Sequence, residues 1–294
     1  MVESSTNRPR VWRWIAGTLL ILVSWTLVGA ILTAAIAHLF QLDLKALAGS
    51  DPESRAKLST YPTWRSASAI LISFLPLLTT TLLAYRTILH KPAMGIFSET
   101  LKLNPRRIGR GALVMSGLLI ATSLPDLFLN RSDYTFTFKA SQFIPYLAIA
   151  AILIPMQTSA EELFYRGWIQ QWLDNGRRPI WVVCLANGAL FALPHLANPE
   201  VNGELFLAVI GYGATGFMFS WVSFRDRSIE ISLGAHAANN LLAGLLVTSA
   251  DSALPSSSIW TTPTVTWGPA AIVSVLIVPI FIWLTRKPAD KVTP

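Results

Sequence analysis

Charge is scarce in this sequence: 13% of its residues are Asp, Glu, Lys or Arg, against about 25% in a soluble globular domain. Hydrophobic residues make up 52% and the mean hydropathy is +0.49, which excludes an ordinary soluble fold and indicates an integral membrane protein. There is a single cysteine, Cys184. An intramolecular disulfide is therefore excluded, and the thiol reads as a small packed side chain in an apolar run. The sequence contains no His-Glu-x-x-His stretch, no glycine-rich phosphate loop, no internal repeat and no low-complexity tract. The zinc-protease helix and the nucleotide-binding loop are thus absent. The formal net charge of +7 acts here as an orientation signal in a membrane chain, with no nucleic-acid partner expected.

What is abundant is long apolar runs. Arg8, Arg10 and Arg13 precede an uncharged run from Trp14 to Phe40, much longer than the core of about 7–15 residues in a signal peptide. Ala35-Ile36-Ala37 resembles a cleavage site, but the segment reads as an uncleaved first span. Further spans are expected at Ala67–Leu89 (kinked by Pro76), Gly111–Leu129, Phe143–Asp174, Ile180–His195, Leu205–Phe224, Ile229–Thr248 and Trp267–Leu284. Leu42–Arg65 reads as a mixed-charge loop, Met94–Leu103 as a short interfacial helix after the second span, and Ala250–Thr266 as a loop. Asn175-Gly176 marks a helix stop. Gly211, Gly213 and Gly216 are expected to let neighbouring helices approach. The expectation is an all-α polytopic bundle of about eight spans: a basic N-terminus (1–13), a membrane domain (14–285) and a short tail (286–294). With this alternation 17 of the 23 Lys and Arg residues fall on one side, which predicts a multi-pass protein of the cell membrane with both termini cytoplasmic.

Polar residues inside apolar runs then become informative. Glu161 and Glu162 follow the run Phe143–Met156, and ionisable groups at membrane depth are a functional-site hypothesis by default. On a helix Glu162 and Arg166 stand four apart in the favourable order for an ion pair. Glu161 points about 100° away and has no partner in its own segment, which leaves it free for chemistry. The bland alternative is a helix leaving the membrane. Phe191 stands one turn before His195, and His236 one turn before Asn240, whereas His38 and His90 lie at span ends and read as interfacial. Isolated polar groups in lipid need partners, so one pocket shared by Glu161, His195, His236 and Asn240 is expected between the fourth, fifth and seventh spans. A carboxylate with an imidazole can activate water, and a second imidazole with an amide can stabilise an oxyanion. The same Glu161, His195 and His236 could instead hold zinc with water as the fourth ligand. A relay for a proton-coupled transporter and a non-catalytic membrane scaffold are the other readings these residues leave open.

The three stretches Glu161-Glu162-x-x-x-Arg166, Phe191-x-x-x-His195 and His236-x-x-x-Asn240 together resemble the motifs of the CPBP intramembrane protease family. That family includes CAAX prenyl endopeptidases and the bacterial Abi proteins, some of them linked to bacteriocin self-immunity. The resemblance covers about 143–248. It implies an endopeptidase acting on membrane-associated, in some members prenylated, peptide substrates at the bilayer. Carried onto this chain, Glu161 with His195 would activate the water, His236 and Asn240 would stabilise the oxyanion, and Glu162, Arg166 and Phe191 would support the site. Members are often described as metalloproteases, and the pocket can also be read without a metal.

One depth argument follows from the spans. His236 lies about 10 Å past Ile229, but Glu161 lies about 20 Å above the turn at Asn175-Gly176 at the helical rise. Their meeting predicts that the hairpin of spans four and five projects by about 10 Å, and that Leu196–Gly203 dips inward to line the cavity.

Overall fold

The computed structural model describes residues 9–49, 51–174 and 176–286; Arg8, Asn175, Lys287 and Lys291 lie outside them. Every apolar run expected to span is helical. Helix α1 covers Val11–Leu39. The stretch read as a loop contains two short helices, α2 (Leu44–Ala48) and α3 (Pro52–Leu58). Both start on an aspartate cap. Asp43 accepts from the backbone N–H of Lys45 and Ala46, and Asp51 accepts from Ser54 N–H with Pro52 in the first turn. The second span is two helices, α4 (Thr63–Leu71) and α5 (Phe74–Thr87). The break lies at Ile72–Ser73 because the Pro76 ring is incompatible with the carbonyl of residue 72, four positions earlier.

The interfacial helix expected over Met94–Leu103 is a single 3₁₀ turn, Ala93–Ile96. It cannot extend, because Ser98 bridges to Ser228 and Leu101 takes a left-handed φ of 57°. Helix α6 (Pro105–Leu129) opens on an Asn104 cap. Helix α7 (Ala140–Glu162) runs through a π-helical stretch, Leu163–Ile169, into α8 (Gln170–Leu173). Then come α9 (Ile180–His195), α10 (Leu205–Asp226), α11 (Glu230–Leu245) and α12 (Trp267–Leu284). Six of these segments are long and apolar enough to cross a membrane; α9 and α11 have only 16 residues each. Large apolar side chains such as Leu19, Ile31, Phe128, Ile152, Trp181 and Ile272 are exposed, as suits a protein solvated by lipid.

The loops gather at two ends. At the basic end Arg107 bonds Asp226 at 2.6 Å and Glu230 at 3.1 Å, and Arg225 donates to the Ile282 and Thr285 carbonyls. At the other end β1 (Thr135–Phe136), β2 (Val247–Ser249) and β3 (Trp260–Thr262) form a small sheet. Its order is β1-β3-β2, with the first pair antiparallel and the second parallel. The seventh span therefore stops as a helix at Leu245, and the loop expected over Ala250–Thr266 holds one strand.

Counted from the His236–Glu162 bond to Asp174 and to Glu230, the hairpin runs roughly 9 Å further than the start of α11. Beside α10 it ends nearly level: Gln170 Nε2 donates to Ser220 O at 3.0 Å, and counting on to Asp174 and to Asp226 leaves a difference of about 3 Å. Asn198 and Glu200, from the stretch expected to dip inward, line the cavity.

Helices α9 and α10 meet at glycines. A Cβ on Gly188 would lie 2.7 Å from Gly213 O, and one on Gly216 would lie 2.9 Å from Gly188 Cα. Gly216→Val should lower stability by about 1–3 kcal/mol through overpacking. A Cβ on Gly213 meets nothing within 4 Å, so Gly213→Ala should be neutral or stabilising by a few tenths of a kcal/mol or more. Thermal unfolding of the two variants in one detergent checks both signs.

Candidate active site

The polar residues of the three motifs come from α7 with the π-helical stretch that continues it, from α9 and from α11, the spans expected to carry them. Glu161 and Glu162 end α7, and both reach the one imidazole of His236. Glu162 Oε1 accepts from His236 Nδ1 at 2.8 Å and lies 3.1 Å from Arg166 Nη1. Glu161 Oε2 lies 3.4 Å from His236 Nε2. The ring is thus suspended between two carboxylates. Glu162 is the paired one. Glu161 Oε2 is buried and has no hydrogen-bond partner, which leaves it an acceptor with unused capacity facing the cavity.

A buried guanidinium is costly unless its donors and charge are met. Arg166 meets the charge with Glu162 and with the face of Phe191 4.6 Å from its Cζ, and its Nη2 donates to Gly216 O at 3.1 Å, while Nε and Nη1 make no hydrogen bond. Phe191 touches the rest of the site as well. Its ring centroid is 4.6 Å from that of His195 and 5.7 Å from that of His236.

His195, the last residue of α9, directs Nδ1 to Phe191 O at 2.8 Å. A carbonyl only accepts, so Nδ1 carries the proton and Nε2 keeps its lone pair for the cavity. No hydrogen bond or ion pair joins His195 to Glu161 among the described residues; the two face the same cavity from different helices. Asn240 donates Nδ2 to Gln157 Oε1 at 3.2 Å, which leaves its second N–H available.

The cavity has a volume of about 680 Å³. Glu161, His195, His236 and Asn240 line it together with the apolar side chains of Trp25, Ile70, Leu71, Phe74 and Leu77 and with residues of the 247–256 segment.

Four further residues belong to this architecture. Asn187 donates to Tyr165 O at 2.6 Å and accepts from Ser220 Oγ at 3.0 Å. It thereby satisfies a backbone carbonyl of the π-helical stretch, whose bonding departs from the α pattern. An asparagine within the apolar run Ile180–Phe191 was a visible signal of this. Gln157 lies one turn before Glu161 and orients Asn240. Tyr212 stacks on His195 with centroids 4.5 Å apart, and its hydroxyl donates to Glu200 at 2.9 Å. Nothing in the local sequence of Tyr212 or Glu200 marks them.

A zinc centre on Glu161, His195 and His236 would have to use the Nε2 atoms, since His236 engages Nδ1 with Glu162 and His195 engages Nδ1 with Phe191 O, as histidine ligands commonly do with their second nitrogen. No three His, Cys, Asp or Glu side chains converge as a metal-binding group among the described residues.

Residues 140–242 match the family described as type II CAAX prenyl endopeptidase Rce1-like. The chain is 37% identical over 215 residues to "Uncharacterized protein YyaK" of Bacillus subtilis (strain 168), an alignment that covers 71% of this chain and 72% of that protein. No solved structure matches.

Proposed function

Because the chain belongs to the type II CAAX prenyl endopeptidase Rce1-like family, we propose that it is an intramembrane endopeptidase that hydrolyses peptide bonds of membrane-associated substrates with an activated water. The observation that carries this reading is the buried Glu161 carboxylate. It lines the same cavity as two imidazoles and an amide, and its Oε2 makes no hydrogen bond within the protein.

In the proposed reaction Glu161, with the Nε2 lone pair of His195 across the cavity, takes a proton from water. The hydroxide attacks the scissile carbonyl carbon. The oxyanion that forms is stabilised by the second N–H of Asn240 and by His236 with a proton on Nε2 as well as on Nδ1. The proton then passes to the departing amine nitrogen as the C–N bond breaks. Glu162 and Arg166 hold His236 in place and touch no substrate. The apolar lining at Trp25, Ile70, Leu71, Phe74 and Leu77 suits a lipid chain or an apolar side chain carried by the substrate. We place the termini and the basic loops on the cytoplasmic side of the cell membrane, on the distribution of Lys and Arg.

The test is cleavage in liposomes of a fluorogenic prenylated peptide and a small set of membrane-anchored peptides, by wild type and by His195→Ala. Wild type should cleave at least one of them, and His195→Ala should be slower by 10²-fold or more. Chelator should change the wild-type rate by less than twofold. A loss under chelator that added zinc restores would overturn the metal-free route. Equal cleavage by the variant would overturn the site assignment, and a folded wild type that cleaves none of the peptides would favour the scaffold reading.

A further inference from the structure

A peptide of the CAAX type carries its cysteine four residues from the chain end, so a free α-carboxylate enters the site a few residues from the scissile bond. Enzymes that accept such a terminus normally present a guanidinium or ammonium to it. Among the described residues no Lys or Arg lines this cavity, whereas two glutamates, Glu161 and Glu200, do.

The arginine closest in sequence to the catalytic carboxylates, Arg166, is turned away from the cavity. It is ion-paired with Glu162, its Nη2 donates to Gly216 O, and Phe191 covers its face. Glu200 is held in place in the cavity wall. Its carboxylate accepts from Asn198, from Tyr212 and from the backbone N–H of Ala253 at 2.8 Å. Its own carbonyl accepts from Trp267 Nε1 at 2.7 Å. Asp251, one residue from the cavity-lining Ser252, is buried with neither carboxylate oxygen hydrogen-bonded, which adds to the acidic character of this region.

The geometry points to a substrate preference: the cavity takes an internal stretch of peptide, neutral or basic around the scissile bond, and discriminates against a free C-terminal carboxylate. The inference rests on the endopeptidase reading and narrows its substrate class. Like charges inside a low-dielectric cavity repel more strongly than in water. A carboxylate drawn in beside Glu200 would also exchange its hydration for a site that offers it no cationic partner. An amide or a continuing chain meets neither obstacle, and a lysine or arginine near the bond finds Glu200.

The experiment uses one farnesylated peptide, with its cysteine four residues from the end, made as the free acid and as the α-amide. Cleavage by wild type in liposomes gives kcat/KM for each. Binding of each to the folded Glu161→Gln variant is read separately from the fluorescence of cavity Trp25 and Trp267. The amide should be favoured at least tenfold in both readouts, and Glu200→Gln should shrink that ratio. Equal or better performance of the free acid in the binding readout would overturn the inference, as would failure of the amide to bind at all. Binding that favours the amide without cleavage of either peptide would leave the preference standing and sink the endopeptidase reading.

Discussion

Glu161→Gln should lower the rate of peptide hydrolysis by about 10³-fold, within the 10²–10⁴ range for loss of a general base, while leaving the protein folded. The substitution keeps the size and shape of the side chain and removes only its ability to take a proton. Little else in the fold depends on that carboxylate. Oε2 lies 3.4 Å from His236 Nε2 and makes no hydrogen bond. Thermal unfolding should therefore shift by no more than a few degrees, the equivalent of about 1 kcal/mol. The two measurements belong together: a rate loss without a stability loss assigns Glu161 to chemistry. A variant as active as wild type would move the base elsewhere, and one that fails to fold would make Glu161 a structural residue.

Arg166→Met should cost about 3–5 kcal/mol, the scale for leaving one charge of a buried pair uncompensated. Glu162 and Arg166 are both fully buried, and no water-exposed rotamer relieves the carboxylate left behind. Removing both charges, as Glu162→Leu with Arg166→Met, should recover most of that loss, since well-packed apolar pairs often replace buried ion pairs without net cost. The recovery has a limit. Glu162 is also the acceptor for His236 Nδ1 at 2.8 Å, and the orphaned imidazole donor should retain a penalty of about 1–3 kcal/mol. Stability and activity should therefore part company in the double variant: it folds nearly as well as wild type but hydrolyses poorly, because His236 has lost its anchor. A double-mutant cycle on unfolding, run beside the cleavage assay, checks both halves. Activity that recovers together with stability would reduce Glu162 to a packing residue.

Most of the helical architecture was readable because a span needs only length and apolarity, and charge then reports sides. The site residues were readable for a related reason. Glu161, His195, His236 and Asn240 are polar where the surroundings are not; spacing puts the last three on helix faces with a partner and leaves Glu161 without one in its own segment. Other features left weaker traces. The caps Asp43 and Asp51-Pro52 were present as signals for α2 and α3 and were absorbed into a loop. The sheet was invisible, because strands of two or three residues carry no periodicity and β1 pairs with β3 across more than a hundred residues. The π-helical stretch Leu163–Ile169 is buried on all sides, so no hydrophobic period separates it from an α-helix. It matters nonetheless, because the unequal winding sets the angle between the two glutamates above it and Gln170 below. Glu200 and Tyr212 act through contacts between loops and helices distant in sequence, which no local pattern encodes.

The brevity of α9 has a consequence for the lipid around it. Its 16 residues span about 24 Å, whereas a bilayer's hydrocarbon core is about 30 Å thick. Trp181, Leu185 and Leu193 on this helix are exposed, so the short flank contacts acyl chains directly and the bilayer must thin to match it. Hydrophobic mismatch is thereby concentrated on the side of the molecule where His195 ends its helix. A polar peptide backbone approaching from that side has less hydrocarbon to cross, and acyl-chain length becomes a variable that the surrounding lipid imposes on access to the site.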